Sequence, residues 1–352
     1  MKTIQELVKN NQKSILLIVD YNISLHNGKI DSTFKIDQTL ETIKYLKSQN
    51  STILFILTHF GRPKSKNEYK VDPIFEYLQT ILPEVQFLPI SKFENPKKGL
   101  YFGDNLRYYT DEKLTKFYKQ FDIVVNEAFG SAHRPINCRC YAGFLMQKEI
   151  NTLKTVKSCD LLIMGGAKAN DKLVLVKKFD KTVFLGGLLA VQFMKGLGYQ
   201  VGKTLETIED SEIKKRVDCE ESNRVYLPVD FLVITEFNKY EQKKVQEILE
   251  TDTIIDIGNK SIELLSKLVG NSSFILWNGP LGKFEDEHAI STKRTIEILA
   301  NSNSKVVIGG GESLTAVQRF SSIEKFFHVS TGGGSMLSYL TGTSMPGIDS
   351  LE

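Results

Sequence analysis

Short apolar runs alternate along the chain with segments that have the spacing of amphipathic helices. Segments such as 37–49 and 260–269 repeat apolar residues at helical intervals, whereas the apolar runs have the length of strands. The runs are residues 14–20, 52–58, 122–126, 160–164, 182–185, 274–277 and 305–308. Near-continuous apolar strands that alternate with helices are typical of parallel sheets covered by helices on both faces. The pattern therefore predicts an α/β fold of the doubly wound, Rossmann-like type.

The length of the chain favours two lobes. At 352 residues it exceeds the size at which a single hydrophobic core usually stops growing. A helical stretch at 144–157 separates two halves that carry different residues after their strands, and we predict that this stretch is a hinge. The predicted domains are residues 1–150 and residues 151–334, each with its own doubly wound parallel sheet.

Basic residues cluster around the apolar runs of the first half. In a doubly wound fold, ligands bind beyond the carboxyl ends of the strands. His59 and Arg62 follow the second run, Arg107 comes shortly before the third, and His133 and Arg134 come shortly after it. Guanidinium groups match the geometry of carboxylates and phosphates. The first lobe is therefore predicted to bind a phosphorylated acid.

Glycines follow the apolar runs of the second half, at 165–166, 186–187 and 309–311. Glycine lets the backbone approach a ligand closely and direct its N–H groups at phosphate. Lys168 and Lys172 are four residues apart at the predicted start of a helix, whose amino terminus also favours anions. The second lobe is therefore predicted to bind a nucleotide.

A second glycine-rich segment is interpreted differently. Residues 198–204 resemble a phosphate-binding P-loop, but only three residues separate the two glycines instead of four. No apolar strand leads directly into this segment. We interpret it as a surface turn that follows a helix.

Composition limits the possible partners and the compartment. The chain has 45 Lys and Arg against 42 Asp and Glu, a net charge of +3, which predicts neither a nucleic-acid partner nor a membrane surface. The four cysteines have neither a zinc spacing nor the density of a disulfide framework, which indicates reduced thiols. No apolar run approaches the ~20 residues of a membrane span. These features predict a cytoplasmic protein.

A series of short segments along the chain follows the motif order of one known family. The segments are VDYN at 19–22, HFGRP at 59–63, NLR at 105–107, NEAFGSAHR at 126–134, GGAKANDK at 165–172, LPVDF at 227–231, WNGPLGKFE at 277–285 and HVSTGGG at 328–334. They resemble the motifs of the phosphoglycerate kinase family, and the resemblance extends from about residue 14 to the end of the chain.

The resemblance implies a reversible phosphoryl transfer from 1,3-bisphosphoglycerate to ADP that gives 3-phosphoglycerate and ATP, with Mg²⁺ at the nucleotide. It also implies hinge closure, a monomer, and a tail at about 335–352 that folds back onto the first lobe. The acid-binding residues would be Asp20, Asn22, Lys35, His59, Arg62, Arg107, His133 and Arg134. The nucleotide-binding residues would be Lys168, Lys172, Gly186, Gly187, Asn278, Glu285, Gly309, Gly310, Gly311, Glu312 and Ser313. Lys35, Lys168 and Gly311 would take part in catalysis, and Glu312 would bind the metal.

Several positions depart from the family pattern near the expected chemistry. Lys35 stands where the family has an arginine, and Glu312 stands where it has the magnesium-binding aspartate. Leu188 replaces a glycine near the expected adenine pocket. Ile18 replaces an arginine and Ile136 a histidine near the acid site. The alternatives are a catalytically impaired protein that serves as a ligand-binding or regulatory protein, and a kinase for a different small acid.

Overall fold

The computed structural model describes residues 1–7, 13–49, 51–167, 169–205 and 224–351. The chain divides into two compact units, and the first, Met1–Asn151, also includes Ser344–Glu352. The second unit is Thr152–Thr343, so the division falls within the helix Phe144–Val156.

Strands and helices are numbered here in chain order over the described residues. The strands are β1 Ser14–Val19, β2 Leu25–His26, β3 Lys29–Ile30, β4 Ile53–Thr58, β5 Gln86–Phe87, β6 Gly99–Phe102, β7 Ile123–Asn126, β8 Tyr141–Ala142, β9 Leu161–Met164, β10 Thr182–Leu185, β11 Val225–Tyr226, β12 Asp230–Ile234, β13 Tyr240–Lys244, β14 Thr253–Ile257, β15 Phe274–Asn278, β16 Lys305–Gly309 and β17 His328–Val329. The α-helices are α1 Phe34–Asp37, α2 Leu40–Ser48, α3 Asp72–Ile81, α4 Asp111–Tyr118, α5 Phe144–Val156, α6 Ala169–Lys178, α7 Gly187–Gly196, α8 Asn259–Gly270, α9 Ser291–Ala300, α10 Gly311–Phe320, α11 Gly333–Thr341 and α12 Pro346–Asp349.

A parallel sheet of six strands forms the centre of the first unit, in the order β5-β6-β4-β1-β7-β8. The central strands β1 and β4 are buried at all but their first residues, since they are apolar on both faces. Leu17, Ile56 and Val125, on three adjacent strands, share one core with Ile43 of α2 and Leu78 of α3. The apolar runs thus build the predicted sheet, and its carboxyl edge lies at the ends of β1, β4, β6 and β7.

A second parallel sheet forms the centre of the second unit, in the order β11-β10-β9-β15-β16-β17. Together the two sheets confirm the predicted α/β class of two doubly wound parallel sheets. The second unit also contains an antiparallel sheet, β13-β12-β14, that the apolar pattern did not predict. Four of the five residues of β13 are exposed, so this strand has no apolar run to reveal it.

Two further sequence predictions concern local structure. The predicted helix at 37–49 is α2, Leu40–Ser48, and a separate short helix, α1, ends at Asp37. Between them the hydroxyl of Thr39 donates to the carbonyl of Ile36 at 2.7 Å. The P-loop-like segment 198–204 follows α7, and Gly198 and Gly202 both have positive φ values, so the prediction of a turn after a helix is confirmed. Among the described residues, no helix is long and apolar enough to cross a membrane.

Candidate active site

Asp20 is the centre of a polar cluster at the carboxyl edge of the first sheet. It directly follows β1 and is almost fully buried. Its Oδ2 accepts from Nζ of Lys35 at 3.1 Å, and its Oδ1 accepts from the amide of Asn22 at 3.0 Å. Nε2 of His59, which follows β4, lies 3.7 Å from the same Oδ1 atom. Lys35 and His59, from two other segments, therefore converge on the carboxylate of Asp20.

Arg107 is held beside this cluster by the backbone of a neighbouring loop. Its guanidinium donates to the carbonyl of Gly61, and the amide of Gly61 donates to Oδ1 of Asn22 at 2.9 Å. Nε of Arg107 is buried and has no hydrogen-bond partner in the described part of the chain. A buried guanidinium nitrogen without a partner is unfavourable in a protein unless a ligand completes its hydrogen bonds.

Charges in the cluster set the protonation of its members. Burial is the main cause that lowers the pKa of His59 to about 4, and the Asp20 carboxylate opposes this shift. The cations that add to the shift are those of Arg107, Lys35 and Arg134. Burial raises the pKa of Asp20, but Lys35 above all holds it below its ordinary value. At neutral pH, His59 is therefore neutral and Asp20 is ionised.

A cavity of about 200 Å³ opens next to this cluster. His59, Arg107 and Arg134 line it together with Asp111 and several uncharged polar residues, and Ile18 and Ile136 are among its apolar residues. The two isoleucines that replace charged or polar family residues therefore face the same space as the basic residues. The cavity can hold an anion between cations and an apolar surface.

Further basic residues lie around an adjoining cavity of about 330 Å³ that Arg62 lines together with Arg107 and Arg134. Burial lowers the pKa of Arg107, and the charges of Arg134 and Arg62 lower it further, which shows that the three cations are close. His133 is exposed, and partial burial and the charge of Arg134 lower its pKa. This edge of the first unit carries a clear excess of positive charge.

Asn105 is a positioning residue. The sequence patterns did not single it out, although it is the first residue of the NLR motif at 105–107. Its fully buried side chain accepts from the amides of Phe60 and Arg107, each at 3.1 Å, and donates to the carbonyl of Phe60 at 2.6 Å. It therefore fixes the loop after β4 relative to the start of the Arg107 segment. The signal was available, because Asn commonly caps a helical turn.

Glycines at the carboxyl edge of the second sheet pack against neighbouring backbone. A methyl group on Gly187 would lie 2.7 Å from the amide nitrogen of Gly166 and the carbonyl oxygen of Pro280. A methyl group on Gly279 would lie 2.4 Å from the carbonyl oxygen of Gly165. Both residues have positive φ values, so glycine is required there on two grounds. The strand ends after β9, β10 and β15 are thus held together closely.

Lys172 of α6 points back into this group of glycines. It is almost fully buried, and its Nζ donates to the carbonyl of Gly165. The same Nζ lies only 2.6 Å from where a methyl group on Gly279 would be. Lys168 lies outside the described residues.

A largely apolar cavity of about 340 Å³ adjoins the glycines, within the size range of small-molecule sites. Leu188, Val191, Phe231, Ile255 and Phe284 contribute its apolar walls, and Glu285 and Glu312 also line it. Leu188 takes the place of a family glycine in this wall, and the cavity remains open beside it.

Polar groups next to β16 complete the second edge. Nδ2 of Asn278, at the end of β15, is buried and has no partner among the described residues. This atom lies near Gly309, and the Asn278 side chain also faces Gly310. The hydroxyl oxygen of the fully buried Ser313 accepts from the amide of Gly279 at 2.8 Å. Asn278 therefore offers an unused donor beside the start of α10.

Glu312 supplies a carboxylate of the kind that magnesium ions bind. Over the described ranges, no group of three or more His, Cys, Asp or Glu side chains could hold a metal ion without other ligands. Glu312 is exposed in the first turn of α10, with Gly311 in open space before it. Magnesium in phosphoryl-transfer sites usually has one or two carboxylates together with substrate phosphates, and a single carboxylate fits this donor set.

Most of the predicted residues fall into two groups, one in each unit. In the first unit, the structure brings together Asp20, Asn22, Lys35, His59, Arg62, Arg107 and Arg134, with His133 exposed beside them. In the second unit, the residues at or near the carboxyl edge of the sheet are Lys172, Gly186, Gly187, Asn278, Glu285, Gly309, Gly310, Gly311, Glu312 and Ser313.

A basic sheet edge in one α/β unit and a glycine-rich edge with an apolar cavity in the other are the features expected of sites for a small anion and a nucleotide. A family model described as phosphoglycerate kinase matches residues 4–343. A phosphoglycerate kinase of Finegoldia magna is 34% identical to this chain, and the alignment covers 100% of this chain and 99% of the relative. The chain belongs to the phosphoglycerate kinase family, which are phosphotransferases with a carboxyl group as acceptor.

Other relatives agree with this assignment. A phosphoglycerate kinase of Thermosipho africanus is 33% identical, with 96% of this chain and 95% of the relative covered. The crystal structure of phosphoglycerate kinase from Pyrococcus horikoshii OT3 superposes with a TM-score of 0.87 at 28% identity, covering 100% of this chain and 98% of that one. The enzyme from Coxiella burnetii gives a TM-score of 0.84 at 26% identity, with 99% and 98% covered. These relatives give no support to the alternative of a binding protein without turnover.

Proposed function

We propose that this enzyme transfers a phosphoryl group reversibly between the acyl phosphate of 1,3-bisphosphoglycerate and ADP, to give 3-phosphoglycerate and ATP. The observation that carries the proposal is a cluster of cations at one sheet edge: Lys35 and Arg107 lie close to the buried carboxylate of Asp20, and Arg62 and Arg134 lie close to Arg107. Such an excess of cations around a cavity is stabilised when an anionic ligand enters.

In the first unit, Arg62, Arg107 and Arg134 would bind the phosphate and carboxylate groups of the three-carbon acid. Nε of Arg107 supports this role, because it is buried without a protein partner. His59 is neutral at pH 7 and can donate a hydrogen bond without adding charge. Asn22 and His133 would contribute further polar contacts at the rim.

Lys35 would contact the phosphoryl group that is transferred. Its contact with Asp20 directs Nζ toward the cluster. A lysine supplies a point charge and no bidentate fork, so Lys35 would stabilise charge in the transition state with less orientation than an arginine. The contact of Lys35 with the transferred group would therefore be weaker than that of an arginine.

In the second unit, the nucleotide base would occupy the apolar cavity beside Leu188, and Glu285 would bind the ribose. Lys168 and Lys172 would contact the phosphates, as would backbone amides of Gly309–Gly311 at the start of α10. Asn278 supports this role with its unused buried Nδ2 donor. Gly186, Gly187 and Ser313 would act mainly by holding the strand ends in place, since each packs against protein atoms.

Glu312 would hold a magnesium ion together with the nucleotide phosphates. When bound, the ion shields the negative charge of those phosphates from the approaching acid. Catalysis by the chain's own residues then consists of positioning the two substrates, with Lys35, Lys168 and the Gly311 amide stabilising the transferred group. Because the two substrates would bind different units, hinge closure is part of the proposal, as are a monomeric state and a cytoplasmic location.

A turnover assay and a binding measurement together test the proposal. Purified protein is mixed with 3-phosphoglycerate, Mg-ATP, NADH and a downstream dehydrogenase. The dehydrogenase should then oxidise NADH as it consumes the product of the phosphoryl transfer. Calorimetry should detect 3-phosphoglycerate binding that is weakened about 10- to 150-fold in Arg107→Met, the size expected for losing a charged hydrogen bond. ATP binding should stay unchanged in this variant.

Matched controls separate specific loss from misfolding. Lys44 is an exposed lysine on α2, and Lys44→Met should retain wild-type binding and turnover. Equal binding of the acid by Arg107→Met and the wild type would reject the assigned acid site. Binding of both ligands without any turnover, followed by turnover in a Lys35→Arg, Glu312→Asp double variant, would instead favour an impaired enzyme.

A further inference from the structure

Two cysteines lie one residue apart in the loop that follows Arg134. Sγ of Cys138 and Sγ of Cys140 are 3.7 Å apart, and the two are thiols and not a disulfide. Cys138 is half-buried, whereas Cys140 is fully buried. The two cysteines do not have a zinc spacing, and their sulfur atoms are less than 2 Å farther apart than the ~2.05 Å of a disulfide.

The thiol pair directly follows two residues that line the acid cavity. The amide of Cys138 donates to the carbonyl of Ile136 at 2.8 Å, and Ile136 and Asn137 line the cavity together with His59 and Arg107. On the other side, the amide of Cys140 donates to the carbonyl of Ser350 at 2.9 Å. Cys140 is therefore fixed to the tail of the chain, while Cys138 belongs to the loop that forms the wall.

The environment of the two sulfur atoms favours attack by Cys138. Its hydrogen bond with Cys140 lowers the pKa of the Cys138 thiol against the opposing effect of burial. Burial raises the pKa of Cys159, elsewhere in the chain, to about 12. The thiolate is the reactive form, so the lowered pKa favours reaction at Cys138 and the raised pKa disfavours it at Cys159. Tyr118, which lines the same cavity, lies close to both cysteines. Burial raises the pKa of Tyr118, and negative charge on Cys138 and Cys140 raises it further.

We propose that Cys138 and Cys140 form a reversible disulfide that responds to oxidised low-molecular-weight thiols and weakens binding of the acid in the adjoining cavity. The Cys138 thiolate attacks one sulfur of the small disulfide, forms a mixed disulfide and releases one small thiolate. Cys140 then loses its proton to solvent, attacks the Cys138 sulfur and expels the second small thiolate. Two protein thiols are thus oxidised by two electrons, and one small disulfide is reduced to two small thiols.

Formation of the disulfide should displace residues that line the acid cavity. Closing the bond shortens the Sγ–Sγ distance from 3.7 Å to ~2.05 Å. Because the backbone of Cys140 is held by Ser350, we expect the backbone movement to fall on Cys138 and on the wall residues Ile136 and Asn137. A shift of this size at a binding site raises KM for the acid, by about 10-fold. This step rests on the proposed function, whereas formation of the disulfide does not.

The first measurement is chemical and needs no activity. The full chain is incubated with oxidised glutathione, free thiols are alkylated under native conditions, and the protein is digested with trypsin without reduction. Arg139 lies between the two cysteines, so cleavage after it leaves Cys138 and Cys140 on separate peptides that only a disulfide would join. The linked peptide is expected in the wild type and in Cys159→Ser, and it is absent from Cys138→Ser. Absence of the linked peptide from the wild type would overturn the proposal.

The second measurement is kinetic. Oxidation should raise KM for 3-phosphoglycerate about 10-fold while KM for ATP stays constant, and dithiothreitol should reverse the change. Cys138→Ser and Cys140→Ser should show the KM of the reduced wild type under both conditions. A linked peptide with an unchanged KM would overturn the effect on the acid site. An inactive reduced wild type with a linked peptide would contradict the proposed function and leave the disulfide supported.

Discussion

The carboxyl group of Glu127 should make the first unit less stable as the pH rises from 5 to 8. Glu127 is fully buried and lies at the amino terminus of α5, where its oxygens accept from the amides of Leu145 and Met146, each at 3.0 Å. The hydroxyl of Thr42 also donates to it. Burial outweighs these three hydrogen bonds and raises the pKa of Glu127 to about 7.

The sign and size of the effect follow from linkage. A buried acid with a raised pKa contributes stability that is fully present below its unfolded pKa and is lost as the pH rises through its folded pKa. With an unfolded pKa of about 4.3 and a folded pKa of about 7, the loss between pH 5 and pH 8 is about 2 to 3 kcal/mol. Glu127→Gln has no ionisable group and should lack this part of the pH dependence, although it also loses one acceptor.

Urea unfolding at pH 5 and at pH 8, followed by pulsed hydrogen exchange of peptides from β1 and β4, measures the first unit directly. The single tryptophan, Trp277, is buried in the second unit, so its fluorescence follows that unit and serves as an internal control. Glu94→Gln, at an exposed position of the first unit, should keep the wild-type pH dependence. If Glu127→Gln and the wild type lose the same stability between the two pH values, the reasoning from burial is wrong.

Two further predictions use other contacts. Gly187→Ala should destabilise the second unit by more than about 1 kcal/mol in urea, because its methyl group would meet the backbone of Gly166 at a positive φ, whereas Gly270→Ala has open space and should not destabilise. A similar urea midpoint for both variants would contradict this. Asp20→Asn should move the pKa of His59 below about 4 in an NMR titration, since the carboxylate raises that pKa, and an unchanged or higher value would refute the assigned contact.

The central strands could be predicted from sequence because they depend on local patterns. Each apolar run became a strand, and several of the predicted site residues, such as Asp20 and His59, directly follow a strand. The antiparallel sheet was missed for a physical reason. Its strand β13, Tyr240–Lys244, is a polar edge whose pairing with β12 depends on backbone hydrogen bonds and leaves no periodic signal.

Contacts between distant residues could not be predicted in the same way. Thr42 and Glu127 are 85 positions apart, and nothing near either residue indicates that the two side chains meet. The same is true of Asn105, whose partner Phe60 is 45 positions away. Sequence patterns identify which side chains carry charge or donors, but the packing of the strands decides which of them are buried together.

Two of the departures from the family pattern lie at the same cavity of the first unit. Ile18 and Ile136 replace polar family residues, and both line the cavity that holds His59 and Arg107. An apolar wall excludes water and lowers the local dielectric constant, which strengthens each remaining charged hydrogen bond to an anion. Loss of two polar contacts therefore concentrates binding on the arginines. For this reason Arg107→Met should affect acid binding more strongly here than in a relative whose cavity keeps its polar wall.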